Sequence, residues 1–280
     1  MNSTFPPPPL VASYWTLAGA YPGRGPGYSR FSLLDRAQAA QQAGFCGLGL
    51  LDADLERIVE THSLRDCKVI LDDHGITQVE LEFLVDWFQD GELRRVSDER
   101  RRFLFEASDV LEPRLIKVGD FQRSRCPLPR LIDSFRQLCA EARDHGTAIA
   151  FEPMGAAVIG NLSDALALVR GAESPNGGLA IDIWHMVDRK IPFSEVARLP
   201  HDVLFCVELG DAKMNAGGSP SENREFCGEG SCDVPSFIEA VQAAGFKGPW
   251  GVELFSDELV SMDLGRAATK AAETTRARFS

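Results

Sequence analysis

The chain has 280 residues, of which 44% are hydrophobic and 25% charged, and its formal net charge at pH 7 is −12. This is the composition of an ordinary soluble globular protein. The negative charge argues against a nucleic-acid partner, because phosphates repel an acidic surface. No apolar run approaches the roughly 20 residues that a membrane-spanning helix needs, so we expect no membrane partner.

The sequence predicts one folded domain behind a short tail. Residues 1–9 lack the basic and apolar regions of a signal peptide and are predicted to form a proline-rich tail, and residues 10–280 to form the domain. The seven cysteines are odd in number and include no CxxC pair, which favours a reducing cytoplasm and argues against a thiolate metal site. A disulfide between Cys227 and Cys232, within one loop, is the alternative.

Apolar runs of strand length alternate with amphipathic helical stretches along the domain. The predicted strands span residues 10–17, 46–51, 77–84, 114–121, 147–154, 179–184, 203–211 and 249–256. The predicted helices span residues 30–44, 54–75, 97–111, 128–146, 162–171, 193–199, 234–245 and 257–276. Gly44, Gly75 and Gly146 close three of these helices, and Ser97 is the predicted N-cap of another.

This alternation predicts the fold class. Apolar strands that alternate with helices form a parallel sheet covered by helices. Eight strand–helix units in about 265 residues favour an α/β fold of the (β/α)8 type, a single TIM barrel, over an open doubly wound sheet. A dinucleotide-binding fold is the weaker alternative, because no GxGxxG motif follows the first strand.

The active site of a (β/α)8 barrel lies at the carboxyl ends of its strands. Acidic residues interrupt four consecutive apolar strands near those ends, and these residues are Glu152, Asp182, Glu208 and Glu253. Strand 3 carries Glu82, and Lys117 of strand 4 is the nearby cation. A buried carboxylate needs a partner. The oxygen-rich set predicts a divalent cation, Mn2+ or Mg2+, with a buried salt-bridge network as the alternative.

Three further residues are predicted to contact a substrate. His185 follows Asp182 by three residues, and histidine is a residue type suited to a general acid near neutral pH, although a core histidine is the alternative. The loop 210–233 is long and rich in Gly and Ser, and we predict a lid that brings Arg224 onto the substrate. Trp15 lies near a strand end and is predicted to face the substrate, as are Glu82 and Lys117.

Several motifs occur in a fixed order along the chain. They are EP at 152–153, DxxH at 182–185, an acid three residues before Asp211, RxxxGEG at 224–230 and GPWGVE at 248–253. In this order they resemble the xylose isomerase-like sugar phosphate isomerase/epimerase superfamily. That superfamily includes ketose 3-epimerases, inosose dehydratases and 3-dehydroshikimate dehydratases.

The resemblance implies roles for individual residues. Glu152, Asp182, Glu208 and Glu253 match metal ligands, and Glu152 and Glu253 also match the acids that move protons. His185 and Arg224 match residues that contact substrate. Glu208 is a departure, because many epimerases have His at this position and some dehydratases have Gln.

We therefore predict a metal-dependent epimerase or isomerase of a small sugar-like ketose or hydroxyketone. It would act by α-proton abstraction and a metal-stabilised enediolate. One alternative is a lyase of the same superfamily, which would eliminate a β-oxygen from an inosose, a dehydroshikimate or a 3-keto-glycoside. Another is a non-catalytic sugar-binding barrel or partner subunit. The expected partner is a small sugar-like or cyclitol-like molecule, and the sequence allows a homo-oligomer.

Overall fold

The computed structural model describes residues 7–23, 25, 27–122, 125–155, 157–213 and 224–279. The strands are β1 (Leu10–Ala12), β2 (Gly47–Leu51), β3 (Gln78–Leu84), β4 (Leu115–Val118), β5 (Ala148–Phe151), β6 (Gly177–Asp182), β7 (Leu204–Leu209), β8 (Asp211–Ala212), β9 (Arg224–Glu225) and β10 (Trp250–Val252). Strands β1 to β7 and β10 form a closed parallel barrel in the order β1-β10-β7-β6-β5-β4-β3-β2. The predicted single TIM barrel is confirmed.

The helices surround this barrel. They are α1 (Tyr14–Ala18), α2 (Leu33–Ala43), α3 (Asp52–Ile58), α4 (Leu64–Asp73), α5 (Gly91–Leu111), α6 (Leu128–Asp144), α7 (Leu162–Ala172), α8 (Ile183–Asp188), α9 (Phe193–Val196), α10 (Val234–Ala243), α11 (Asp257–Ser261) and α12 (Leu264–Arg276). No helix in the described part of the chain is long and apolar enough to cross a membrane. All seven cysteines are free thiols, so the alternative of a Cys227–Cys232 disulfide is wrong.

The strands present different side chains to their two faces. Residues such as Leu81, Val118 and Val207 belong to the large apolar core that includes the helices. A smaller apolar cluster, drawn from four neighbouring strands, consists of Leu115, Ala150, Ala180 and Cys206. Because side chains alternate along a strand, this second cluster fills the barrel interior, and the next inward positions carry the charged residues of the site.

The first predicted strand differs most from the structure. Of the predicted run 10–17, only Leu10–Ala12 is strand, and the run ends within helix α1 (Tyr14–Ala18). The Thr16 hydroxyl donates to the carbonyl of Val252 at 2.7 Å and accepts from the backbone N–H of Leu254 at 3.0 Å. A short apolar run is compatible with strand or helix, and these tertiary contacts decide between them.

Several predicted helices also have different bounds, and the stretch 257–276 is two helices, α11 and α12. The stretch 54–75 is two helices, because Ser63 starts α4 with its own capping box, in which Ser63 and Asp66 cap each other. Helix α5 begins at Gly91 instead of Ser97, so the predicted N-cap at Ser97 is wrong. From inside the helix, the Ser97 hydroxyl donates to the Val85 carbonyl at 2.6 Å.

Candidate active site at the carboxyl ends of the strands

Four carboxylates lie together at the carboxyl ends of four neighbouring strands. Asp182 is the last residue of β6 and is paired in register with Glu208 of β7. Glu152 directly follows β5, and Glu253 directly follows β10. All four residues are buried, the most exposed being Glu253 at 9%. The structure therefore places these four acids at the same end of the barrel, and their role as metal ligands stays a prediction.

The imidazole of His185 joins two of these acids. Asp182 caps helix α8 by accepting a hydrogen bond from the backbone N–H of Trp184 at 2.9 Å. The first turn of α8 then places Nε2 of His185 at 3.2 Å from Oε1 of Glu152 and at 3.8 Å from Oδ2 of Asp182. Ligand atoms of the three residues all lie within 4.8 Å of one another, close enough to share one metal ion, and among the described residues Glu208 and Glu253 do not belong to this group.

Arg224 joins the other side of the site. Its Nη2 atom lies 2.7 Å from Oδ2 of Asp182, and its Nη1 atom lies 2.8 Å from Oε2 of Glu253. The guanidinium is buried between aromatic rings, 4.4 Å from the ring centroid of Phe255 and 5.2 Å from that of Trp184. Burial alone would lower the pKa of Arg224, but Asp182 and Glu253 raise it above its usual value.

A short antiparallel pair of strands holds Arg224 in this place. Arg224 in β9 pairs with Ala212 in β8, which follows barrel strand β7. The carboxylate of Asp211 accepts hydrogen bonds at 2.8 Å from the backbone N–H groups of Ala212, Gly228 and Cys232. The middle of the predicted lid, residues 214–223, lies outside the described residues. Its described ends carry Arg224 into the site.

A second ionic group lies beside these carboxylates. Nζ of Lys117 is 2.7 Å from Oε1 of Glu208 and 3.0 Å from Oε1 of Glu82. The hydroxyl of Ser13 donates to the same Oε1 atom of Glu208. The backbone N–H of Tyr14 donates to Oε1 of Glu82 at 3.2 Å. Lys117 and Glu82 are thus buried and bound to each other, and their predicted contact with a substrate stays a prediction.

Burial has the largest effect on the pKa values of the acids at this end of the barrel. It raises the pKa of Glu208 to about 8, although Lys117 acts in the opposite direction. Burial also raises the pKa of Glu253 against the lowering effect of Arg224. The pKa of Lys117 is well above its usual value, because Glu208 and Glu82 outweigh the burial that would lower it. The two cations are therefore charged at neutral pH, and the carboxyls compete for them.

The remaining predicted residues have varied surroundings. Trp15 is half-buried and packs edge-to-face on Tyr14, with ring centroids 4.8 Å apart, and its role in substrate binding stays a prediction. Trp87, an aromatic residue near a strand end, lies in the core against Phe88. Sequence reasoning missed Ser13. The signal available was a lone polar residue at the end of the first apolar strand.

The donor set fits a divalent cation. Five buried carboxyl groups, those of Glu82, Glu152, Asp182, Glu208 and Glu253, face the two cations Lys117 and Arg224, so that ionisation of all five would leave an excess of three negative charges. Oε2 of Glu208 is buried and has no hydrogen-bond partner among the described residues. Carboxylate oxygens with one nearby imidazole are ligands suited to Mg2+, Mn2+ or Zn2+.

The chain belongs to the xylose isomerase-like TIM barrel family, whose model matches residues 37–278. It is 28% identical over 234 residues to a 3-dehydroshikimate dehydratase of Pseudomonas aeruginosa, covering 81% of this chain and 36% of that protein. The chain thus spans about a third of that relative's length. It is also 30% identical over 103 residues to a ketose 3-epimerase of Arthrobacter globiformis, covering 36% of this chain and 32% of that protein.

Solved structures share the fold. The crystal structure of a protein named IOLI, described with a bound zinc atom, superposes with a TM-score of 0.84. The two are 18% identical, and the match covers 96% of this chain and 97% of the other. At that identity the likeness concerns the fold alone. The relatives named from sequence are enzymes, namely a dehydratase and an epimerase.

Proposed function

We propose that this chain is a divalent-metal-dependent lyase that removes water from a small polyhydroxylated ketone. The observation that carries the proposal is the contact of 3.2 Å between Nε2 of His185 and Oε1 of Glu152. This contact joins a carboxylate base to a group that can donate a proton, on one side of the site. The dehydratase relative also matches 81% of the chain, whereas the epimerase relative matches 36%.

The reaction begins at the carbon next to the ketone. Oε1 of Glu152 accepts the α-proton, and the electron pair of the broken C–H bond moves toward the carbonyl oxygen. As this electron pair returns, it forms the new C=C bond and the β-carbon–oxygen bond breaks. The proton passes from Oε1 of Glu152 to Nε2 of His185 and then to the leaving oxygen. The products are a conjugated enone and one water molecule, and no oxidant or reductant is needed.

The other residues of the site bind and orient. The proposed metal ligands are Glu152, Asp182, Glu208 and Glu253, and the oxygen-rich set favours Mn2+ or Mg2+. A divalent ion, when bound, supplies Lewis-acid stabilisation of the negative charge that develops at the carbonyl oxygen. Arg224 offers its guanidinium to a substrate oxygen from between Asp182 and Glu253. The expected substrates are hydroxyketones of the sugar, cyclitol or dehydroshikimate kind.

Epimerisation or isomerisation of a ketose is the second candidate. It is favoured by Glu253, a second carboxylate, which contacts Arg224, whereas Glu152 contacts His185. Both reactions share the first proton transfer. If the proton returns to the α-carbon from the opposite face, the result is an epimer. If it returns to the neighbouring carbon, the result is an isomer.

Deuterated water separates the two reactions. The chain, loaded with Mn2+, would be incubated with 3-dehydroshikimate, an inosose and a ketose, and the products followed by NMR and mass spectrometry. We expect loss of one water molecule from a hydroxyketone, abolished in Glu152→Gln and retained in the surface variant Glu92→Gln. Recovery of an epimer carrying solvent deuterium would support the second candidate. Neither product, with Mn2+ bound, would support a non-catalytic barrel.

A further inference from the structure

The two oxygens of the Glu208 carboxylate have very different surroundings. Oε1 receives both the Ser13 hydroxyl and Nζ of Lys117, the latter at 2.7 Å. Oε2, although buried, has no hydrogen-bond partner in the described part of the chain. Leaving such an oxygen unpaired is costly, unless it faces a ligand.

The backbone next to Glu208 makes room for this arrangement. Gly251 of β10 is paired in register with Glu208. A Cβ atom at Gly251 would lie 2.8 Å from Cγ of Glu208 and 3.0 Å from the carbonyl oxygen of Val207. Gly49 of β2 likewise leaves space for Glu82, since a Cβ atom at Gly49 would lie 2.1 Å from Oε1 of Glu82. Two strands therefore lack side chains where the buried carboxylates pass.

Lys117 is tied at the same time to an acid outside the proposed ligand set. Its Nζ atom lies between Glu208 and Glu82, and Glu82 is held in turn by the backbone N–H of Tyr14. The ammonium and the Ser13 hydroxyl come from β4 and from the end of β1. Elements on different sides of β7 in the barrel thus reach a single oxygen of Glu208.

We propose that Ser13 and Lys117 are positioning residues that fix Glu208 by Oε1, so that Oε2 is the one oxygen Glu208 offers to the metal ion. The inference rests on the proposed metal site. With its charge shared by Lys117, Glu208 adds less negative charge to the ligand set than a free carboxylate would.

Ser13 gives the sharper test, because Ser13→Ala removes a hydrogen bond without changing charge. Mn2+ affinity would be measured by calorimetry, and the electron paramagnetic resonance spectrum of the bound ion recorded, for the full chain and its variants. We expect Ser13→Ala to weaken Mn2+ binding roughly tenfold and to change the spectrum, in line with the loss of other outer-shell partners of metal ligands. Lys117→Met is expected to weaken binding by roughly 10- to 100-fold.

The decisive comparison is made in a second background. If Ser13 acts through Glu208, Ser13→Ala has no further effect on Mn2+ affinity once Glu208→Ala has removed the carboxylate. A general structural role would weaken binding equally in both backgrounds, and that result would overturn the inference. Ser108→Ala is the matched control, because this buried hydroxyl donates only to Leu104 of its own helix at 2.8 Å, and it should leave affinity unchanged.

Failure of the metal site itself gives a different pattern. If the unsubstituted chain bound no Mn2+, both the proposed function and this inference would be wrong. If it bound Mn2+ and the affinity of Ser13→Ala matched that of the unsubstituted chain, only the positioning role would be wrong. Thermal unfolding of each variant in the presence of a chelator would identify a variant that does not fold. If Lys117→Met does not fold, Ser13→Ala alone still tests the inference.

Discussion

Nε2 of His185 lies 3.2 Å from Oε1 of Glu152, although one residue belongs to helix α8 and the other follows strand β5. Asp182 positions His185 for this contact, because it is both the last residue of β6 and the N-cap of α8. The first turn of α8 then brings His185 back toward the neighbouring strand β5. The DxxH spacing thus places an imidazole next to a carboxylate that follows the adjacent strand.

Removal of this imidazole tests its role in proton transfer. We expect His185→Gln to lower kcat roughly 100-fold or more, as loss of a general acid–base group does, with a much smaller change in KM. Steady-state kinetics with the hydroxyketone substrate that loses water would measure both constants. An unchanged kcat would contradict a role of His185 in proton transfer. Mn2+ binding by His185→Gln serves as the control that the site is intact in this variant.

The two contacts of Arg224 need a planar, two-pronged cation. Arg224→Lys keeps the charge, but a single ammonium cannot replace the fork between Asp182 and Glu253. We expect kcat/KM to fall at least tenfold, equivalent to about 1.4 kcal/mol of transition-state stabilisation. Arg95→Lys, on the exposed face of α5, is the matched control and should behave as the unsubstituted chain. Equal kinetics in both variants would contradict the role given to Arg224.

Metal binding should stabilise the fold through the carboxylates. A ligand present at 100 times its Kd adds about 2.7 kcal/mol to the free energy of unfolding. We expect Mn2+ to raise the Tm of the chelator-treated chain and to have little effect on Asp182→Asn. Asp202→Asn, which changes only a surface ion pair with Arg170, should retain the full shift. A shift of the same size in Asp182→Asn would place the metal elsewhere.

The space beside Glu82 is tested by adding one methyl group. In Gly49→Ala, the new Cβ would lie 2.1 Å from Oε1 of Glu82 and 2.6 Å from the backbone nitrogen of Tyr14. We expect a loss of about 1–3 kcal/mol or more in the free energy of unfolding in urea, the usual cost of overpacking. At Gly27 a Cβ would meet nothing within 4 Å, so Gly27→Ala should have the stability of the unsubstituted chain.

Burial of Asp52 should make the difference in stability between Asp52→Asn and the unsubstituted chain depend on pH. Burial raises its pKa to about 6 from a usual value of 3.8, so its ionised form is disfavoured in the folded chain. The folded state therefore binds more protons between these pKa values, so the ionisation of Asp52 lowers the free energy of unfolding as the pH rises from 3.8 to about 6, with no further change above that. The gain in unfolding free energy from Asp52→Asn should grow by about 2 kcal/mol between pH 4 and pH 8, since each pKa unit is worth about 1.4 kcal/mol and part of the shift is already present at pH 4. A difference independent of pH would refute this assignment.

The sequence by itself determined the barrel and the chemical character of its open end. Apolar strands with helical stretches between them can bury both faces only in a helix-covered parallel sheet, and acids that interrupt such strands must find partners. These two facts pointed to Glu152, Asp182, Glu208 and Glu253 without reference to distance. The predicted bounds of the first strand were wrong, because a short apolar run such as the one that forms α1 is compatible with strand and helix alike.

Only the tertiary structure decided which partner each acid has. Asp182 and Glu253 share Arg224, Glu152 has His185, and Glu208 has Lys117 with Ser13. Those pairings join distant parts of the chain, through the order in which the strands close the barrel and the way β8 and β9 return Arg224 to its mouth. Pairing depends on distances of a few ångströms between side chains, and residue types along a sequence carry no such distances.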